Sequence, residues 1–250
     1  MHNNFFCNNP YINLYNRPSS NSKIGSQILY GEKFKILKKG RRFSKIITKY
    51  DNYTGYIKRS KHLSKFLGTH KVSVLKSRIF KYPKNLKKFK SKNFLSFSSK
   101  IQVLKRKKNF VMFDKNKWLY AKDIKLINQK DKNIVKILKL FLNCKYRWGG
   151  KAYDGIDCSA LIQIFYKFNN IFFPRDTVDQ IKYKRGTITK KKNKLGDIIY
   201  WKGHVALCIN SKELIHAYGP KKKVIVMPIN ETIKRIEKTA NLKVKKICRV

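Results

Sequence analysis

The feature that most constrains the fold is a change in hydrophobic period near residue 130. Before it, apolar and polar residues alternate over short runs such as residues 28–37, and a period of two predicts strands that bury one face. After it, apolar residues recur at helical spacing. They are Ile134, Ile137, Leu138, Phe141 and Leu142. Because one repeating unit cannot have both periods, the chain is predicted to contain at least two kinds of domain.

The first 128 residues are predicted to form two small all-β barrels. Residues 1–67 contain five or six short strands at a spacing of about 8–12 residues, which is typical of such barrels. Residues 68–128 repeat the pattern in degenerate form, with residues 118–121 in the place that residues 54–57 have in the first copy. Both copies resemble bacterial SH3-like domains, in which a Gly-Tyr/Trp-Val/Ile strand is common.

Residues 129–250 are predicted to form an α+β domain. Asp131 is expected to cap the first helix, and a second helix is expected to begin at Cys158. Four strands are then predicted, at residues 197–201, 204–209, 213–218 and 224–227. Helices followed by an antiparallel sheet are typical of the α+β class.

The charge is extreme, with 60 Lys and Arg residues against 13 Asp and Glu and a formal net charge of +47. Such a charge favours anionic partners. Most of these residues are lysines spread along the whole chain, whereas base readout favours arginine. The sequence contains no helix-turn-helix, zinc-finger or RNA-recognition pattern. We therefore expect no specific nucleic-acid binding, with attraction of polyanions as the alternative.

Cysteine usage and the chain's hydropathy indicate a cytoplasmic protein. Five scattered cysteines do not suggest a disulfide framework. No apolar run approaches the ~18 residues of a membrane span, and the first residues lack a secretory signal. No Cys-x-x-Cys or similar spacing suggests a metal site, and no cofactor is implied. The oligomeric state stays open.

Cys158 is a candidate nucleophile because it is predicted to begin a helix. The positive end of a helix favours the thiolate and is expected to lower the pKa of the thiol. His204 and His216 lie on a predicted hairpin, and a loop with an odd number of residues would place them on one face. His204 could then contact the thiol while His216 orients the ring. The alternative is that Cys158 is only a small buried residue.

Six short motifs occur in order around these residues. They are Tyr146-Arg147-Trp148-Gly149-Gly150, Asp157-Cys158-Ser159, Pro174-Arg175-Asp176, Leu195-Gly196-Asp197, Gly203-His204-Val205-Ala206 and Leu214-Ile215-His216-Ala217. Over about residues 132–229 they closely resemble the NlpC family of papain-like cell-wall cysteine peptidases. The SH3-like domains further resemble the subgroup that cleaves free murein peptides between γ-D-glutamate and a diamino acid.

The resemblance implies a role for each matching residue. Cys158 matches the nucleophile, His204 the general base and His216 the third, polar residue. Tyr146 matches a tyrosine near the oxyanion, with the Cys158 backbone N–H as a second donor. Trp148 is expected to bind substrate.

Further residues are expected to recognise the substrate. Asp157 and Ser159 match positions that bind the free N-terminal amine. This would explain a carboxylate beside the nucleophile, where it otherwise raises the thiol pKa. Arg175 is expected to bind substrate. In the subgroup the first SH3-like domain limits entry to the cleft, and the candidates for this wall are Glu32, Tyr53 and Tyr56. A turn role for Glu32 and a core role for the tyrosines stay open.

The expected function is hydrolysis of the γ-D-glutamyl–diamino acid bond in free murein peptides with an unblocked N-terminal L-Ala, as a step of peptidoglycan recycling. The preferred diamino acid stays open. Two alternatives remain: an inactive module that binds wall fragments or another polyanion, and an acyltransferase or thioesterase on the same fold.

Overall fold

The computed structural model describes residues 4–81, 90–183 and 193–249. The chain divides into two compact units. The first consists of Met1–Lys130, Lys151–Tyr153 and Phe168–Asn170, and the second consists of Asp131–Gly150, Asp154–Lys167 and Ile171–Val250.

The first unit begins with a six-stranded antiparallel sheet. Its strands are β1 (Asn4–Phe6), β2 (Tyr11–Tyr15), β3 (Ile24–Leu29), β4 (Lys33–Lys39), β5 (Phe43–Thr48) and β6 (Thr54–Lys58). Their order in the sheet is β1-β4-β5-β6-β2-β3. One face is packed, with Leu14, Ile28, Phe34 and Ile46 in the core, because alternate residues of each strand point to the same side.

Eight further strands form two more sheets in the first unit. They are β7 (His70–Val72), β8 (Lys76–Phe80), β9 (Lys90–Ser96), β10 (Lys100–Ile101), β11 (Lys105–Lys107), β12 (Phe110–Asp114), β13 (Lys117–Tyr120) and β14 (Ile124–Leu126), with a 3-10 turn at Ala121–Asp123. The sheet orders are β10-β7-β14 and β11-β12-β13-β8-β9.

The two β regions share a strand order. The series β4-β5-β6-β2-β3 of the first corresponds to β11-β12-β13-β8-β9 of the second, and each series is antiparallel. Strand β13 therefore has the place of β6, as the matching sequence segments predict. The regions differ in that β1 extends the first sheet, whereas β7, β10 and β14 form a separate sheet in the second. The predicted boundaries at residues 67 and 128 stay predictions.

The elements after residue 130 combine helices with a two-stranded sheet and a larger antiparallel sheet. They are α1 (Ile134–Lys139), β15 (Lys151–Ala152), β16 (Gly155–Ile156), α2 (Cys158–Phe168), α3 (Thr177–Tyr183), β17 (Asp197–Trp201), β18 (His204–Cys208), β19 (Glu213–Tyr218), a 3-10 turn at Gly219–Lys221, β20 (Lys223–Pro228), α4 (Ile229–Ala240) and β21 (Lys246–Arg249). The two-stranded sheet is β15-β16, and the five-stranded antiparallel sheet has the order β20-β19-β18-β17-β21. The predicted α+β class is confirmed.

The core of the second unit explains why these elements form. Trp201, Ala206 and Leu214 of the sheet belong to one buried cluster with Ile229 and Ile236 of α4. In α2 the predicted stripe is buried, with Leu161, Ile162 and Phe165 among its members.

The predicted cap of α1 is wrong. Asn133 is the cap, and its side chain accepts a hydrogen bond from the Lys136 backbone at 2.9 Å. Asp131 instead accepts one from the Asn133 backbone. The helix ends at Lys139, because the next residues form tighter i to i−3 bonds, although Phe141 is still buried.

None of the helices in the described parts of the chain has both the length and the apolar character needed to span a bilayer. All five cysteines lie in the described residues, and all are thiols rather than disulfides, as predicted.

Candidate active site

Cys158 is the first residue of α2, and its side chain is buried with 5% of the residue exposed. The preceding residue, Asp157, caps the start of the helix. Its Oδ1 accepts a hydrogen bond from the Ala160 backbone at 2.8 Å, and its carbonyl accepts one from the Leu161 backbone at 3.0 Å. Because aspartate is a preferred cap, the position of the cysteine at a helix start follows from the local sequence.

The expected lowering of the Cys158 pKa is wrong. Burial, followed by the Asp157 carboxylate, raises the pKa of the thiol to about 12. Hydrogen bonds from the backbone at Val205 and Ser159, and the charge of Arg175, act in the opposite direction but are weaker than burial. The resting group is therefore a thiol. Its interaction with Val205 places it beside the residue that follows His204.

The two histidines contact each other. Leu207 pairs with Ile215 across β18 and β19, and the Ile209 backbone donates to Glu213, which leaves residues 210–212 as the loop. This odd loop places His204 and His216 diagonally on one face, as predicted. His204 Nε2 and His216 Nδ1 are 2.9 Å apart.

Both histidines are neutral near pH 7. Burial lowers the pKa of His204 to about 4. Burial, followed by the charge of His204, lowers the pKa of His216 to about 3. The His216 ring stacks on Tyr218, with centroids 4.6 Å apart and planes inclined by 10°. Its Nε2 lies 3.4 Å from the sulfur of Met227, a contact that the sequence analysis missed because nothing in the sequence marks this methionine.

Tyr146 lies close enough to Cys158 and Asp157 for their charges to affect its hydroxyl. Burial raises the pKa of its hydroxyl, and the neighbouring Cys158 and Asp157 raise it further. The chain is fixed here by a hydrogen bond from the Tyr146 backbone to the Lys222 carbonyl at 2.8 Å and by a bridge to Ile156. A tyrosine hydroxyl is thus held in the electrostatic environment of the cysteine.

The Asp157 carboxylate lies in a dense network of donors. Arg175 Nη1 donates to its Oδ1 at 3.0 Å, and Nη2 donates to its Oδ2 at 2.7 Å. The Gly149 backbone donates to Oδ2 and the Ser159 hydroxyl donates to Oδ1. Arg175 also donates to the Ser159 hydroxyl at 2.8 Å. This is a buried, two-point ion pair with additional hydrogen bonds.

This network includes Arg175, which is expected to bind substrate. The residue is buried with 2% exposed, and both of its Nη atoms donate to Asp157. It holds that carboxylate in place, and its contact with substrate stays a prediction. Asp157 and Ser159 are also buried and already bonded within the protein. Their recognition of a substrate amine stays a prediction.

The remaining candidates differ in exposure. Trp148 is 65% exposed, in the loop after Tyr146. Glu32 is buried in the first unit, where its Oε1 accepts a hydrogen bond from the Leu29 backbone at 2.9 Å, which is the turn role considered above. Tyr53 donates from its backbone to Thr48. The roles of Trp148, Glu32 and Tyr53 in binding substrate stay predictions.

Tyr56 lies in β6, where it pairs with Tyr15 of β2. Its side chain is partly buried. Its predicted place in a substrate-facing wall likewise stays a prediction.

Two family models match the chain. Residues 143–241 match the NlpC/P60 family, and residues 10–64 match the bacterial SH3 domain. The first match contains Cys158, His204 and His216, and the second contains Glu32, Tyr53 and Tyr56.

Known proteins are similar to this chain to different extents. The gamma-D-glutamyl-L-lysine dipeptidyl-peptidase of Bacillus subtilis (strain 168) is 26% identical over 233 residues, which cover 84% of this chain and 77% of that protein. Dipeptidyl-peptidase 6 of Lysinibacillus sphaericus is 34% identical over 101 residues, which cover 40% of this chain and only 36% of that protein.

Among solved structures, an NlpC/P60 family protein from Bacillus cereus ATCC 10987 has a TM-score of 0.81 at 18% identity, covering 98% of this chain and 99% of that one. This likeness shows the fold. The family match and the similarity to the dipeptidyl-peptidases support a hydrolase of the cysteine-peptidase class. Within this class, the chain carries an NlpC/P60 domain preceded by a bacterial SH3 domain.

Proposed function

We propose that the protein hydrolyses the bond between γ-D-glutamate and a diamino acid in free murein peptides that begin with L-Ala. The observation that carries the proposal is the 2.9 Å contact between His204 Nε2 and His216 Nδ1, next to a thiol bonded to the Val205 backbone. A nucleophile, a base and a group that orients the base are then present together. The similarity to the Bacillus subtilis peptidase over 84% of the chain supports the substrate class.

Acylation begins from a neutral pair. Because burial raises the pKa of Cys158 and lowers that of His204, the proton leaves the thiol as the sulfur attacks. His204 Nδ1 accepts this proton, since Nε2 is engaged with His216. A bond forms between Sγ and the γ-carbonyl carbon of the glutamate, and the carbonyl oxygen becomes an oxyanion.

Two donors would stabilise this oxyanion. The backbone N–H of Cys158 lies at the positive end of α2, and the Tyr146 hydroxyl is within electrostatic range of the thiol. The protonated His204 then gives its proton to the amine of the diamino acid as the C–N bond breaks. Water, activated by His204, attacks the thioester and releases L-Ala-D-Glu with the free thiol.

Recognition of the substrate amine would use Asp157 and Ser159. Since Arg175 already pairs with the carboxylate, a substrate ammonium would share Asp157 rather than neutralise it alone. Trp148 offers an exposed aromatic face for the peptide, and Glu32, Tyr53 and Tyr56 are the proposed wall that selects short peptides. The +47 charge would attract acidic murein peptides. We place this activity in the cytoplasm, in the recycling of wall peptides.

The test is mass spectrometry of the protein incubated with L-Ala-γ-D-Glu-diaminopimelate, with the same peptide N-acetylated, and with a Cys158→Ala variant as the control. We expect L-Ala-D-Glu from the free-amine peptide only, and none from the variant. Cleavage of both peptides would contradict the role of Asp157 and Ser159 in amine recognition. Cleavage of neither would contradict the proposed activity and favour a binding module.

A further inference from the structure

The sulfur of Met227 contacts Nε2 of His216, the ring nitrogen that is not engaged with His204. It lies 3.4 Å from Nε2, and Met227 is buried with 8% of the residue exposed. Met227 stands on β20 two residues beyond Ile225, the register partner of His216, so it reaches the imidazole from the diagonal position on the same face. A thioether accepts hydrogen bonds but cannot donate them. As a hydrogen bond, the contact requires a hydrogen on His216 Nε2.

This requirement determines the tautomer of His216. A neutral imidazole carries one hydrogen, so a hydrogen on Nε2 leaves Nδ1 with a lone pair. The pKa of His216, lowered to about 3 by burial and then by His204, keeps the ring neutral at pH 7. His216 Nδ1 can consequently only accept in its 2.9 Å contact with His204.

The tautomer of His216 in turn determines the tautomer of His204. Because His216 Nδ1 accepts, His204 Nε2 must be the donor in this contact. Neutral His204 then has its lone pair on Nδ1, the nitrogen that is not engaged with His216. A base needs a lone pair at this atom to remove the thiol proton. The direction of both hydrogen bonds also persists when His204 becomes an imidazolium, since Nε2 keeps its hydrogen.

We propose that Met227 is a positioning residue whose sulfur sets the tautomers of His216 and His204, so that Nδ1 of His204 is the free base. The inference rests on the proposed function only in assigning the base to His204. Among the described residues, the hydrogen-bond partners of the His216 side chain are His204 and Met227. Tyr218 stacks on the ring face and fixes its plane, but a stacked face does not distinguish one tautomer from the other. Met227 is therefore the group that selects between them.

The test compares variants of similar side-chain size that remove or replace the acceptor. Met227→Leu removes the acceptor, whereas Met227→Gln replaces it with an amide oxygen. Met112→Leu is a matched control, because Met112 packs against a separate cluster in the first unit. The ¹⁵N shifts of the labelled histidines report the tautomer of each ring directly, without any substrate.

We expect His216 to carry its hydrogen on Nε2 in the wild type, in Met227→Gln and in Met112→Leu. In Met227→Leu we expect a population with the hydrogen on Nδ1. We also expect a fall in kcat/KM of about tenfold, the lower end of the loss found when a group that orients a metal-bound histidine is removed. Met227→Gln should restore kcat/KM to within about threefold of the wild type. A role in packing alone would change stability without moving the tautomers.

The rate at which iodoacetamide alkylates Cys158 gives a second readout that needs no peptide. It should fall in Met227→Leu near pH 7 and recover in Met227→Gln, with Cys158→Ala as the background. A wild-type His216 with its hydrogen on Nδ1 would overturn the inference without any variant, as would tautomers that are unchanged in Met227→Leu. If the tautomers shift but the murein peptide is not cleaved, the proposed substrate fails and this inference stands.

Discussion

The two sides of Cys158 are built in different ways. On the sheet side, three neutral groups follow in a line, from His204 through His216 to Met227, and each link is a single polar contact. On the helix side, Asp157 accepts hydrogen bonds from Arg175 and other donors in a closed, charged network. Cys158 thus lies between a line of neutral groups and a buried ion pair.

The two sides are expected to have different roles in the site. When His204 becomes protonated, the hydrogen bonds along the line of neutral groups keep their direction, because each donor remains a donor. Little stabilisation is therefore lost. A closed ion pair resists change, because removing one charge leaves the other buried and uncompensated. We therefore expect the sheet side to control the rate and the helix side to control stability.

The largest effect is expected for Cys158 itself, which lies between the two sides. Cys158→Ala removes the nucleophile and should lower kcat by about four orders of magnitude or more, with little change in the free energy of unfolding. Cys208→Ala, on β18 and buried in the core, is the matched control. It should cost about 1 kcal/mol of stability and leave kcat nearly unchanged. Single-turnover kinetics and urea denaturation measure both quantities. Substantial cleavage by Cys158→Ala would mean that another group attacks.

The next effect tests the sheet side. His216→Leu removes the acceptor for His204 Nε2, and we expect kcat to fall by about 10³. His216→Asn offers a side-chain oxygen near the same place and should remain within about tenfold of the wild type. Steady-state kinetics and urea denaturation separate the two readouts. A His216→Leu variant that loses stability but keeps its kcat would break the proposed division between the sides.

The third effect tests the helix side. Arg175→Met leaves the Asp157 carboxylate buried without its cation, and the free energy of unfolding should fall by about 3 kcal/mol. Arg147→Met is the matched control, since Arg147 forms a comparable 3.0 Å pair with Asp154 that is only partly buried, with 41% and 34% of the two side chains exposed. It should cost less than about 1 kcal/mol. Equal losses in urea denaturation would show that burial of the pair does not matter.

The last prediction concerns pH. The pKa values of His204 and His216 are lowered by burial to about 4 and about 3, from 6.5. Between pH 6.5 and pH 4 the unfolded chain therefore binds more protons than the folded one, and stability falls as the pH falls through this window. We expect the free energy of unfolding to fall by several kcal/mol across this window, measured by urea denaturation at several pH values. The slope should be shallower in His204→Gln, and an unchanged slope would contradict the assignment.

The sequence predicts the features of this molecule that depend on neighbouring residues. The change of period near residue 130 separates the β regions from the α+β region, because side-chain direction repeats every two residues in a strand and every 3.6 in a helix. The start of a helix at Cys158 is equally local. The odd loop at residues 210–212 already places His204 and His216 on one face. The cap of α1 was missed because two suitable residues, Asp131 and Asn133, compete within one turn.

Other features were decided only by the tertiary structure. The pKa of Cys158 rises because the thiol is buried, and burial outweighs the helix terminus that the sequence makes visible. Arg175 meets Asp157 across 18 positions of the chain, and Met227 reaches His216 from a neighbouring strand. Such contacts depend on how distant segments pack, which no local pattern contains. Local sequence therefore predicts the places of the nucleophile and the two histidines in the secondary structure. Their protonation states and contacts depend on packing, because packing excludes water from the buried side chains.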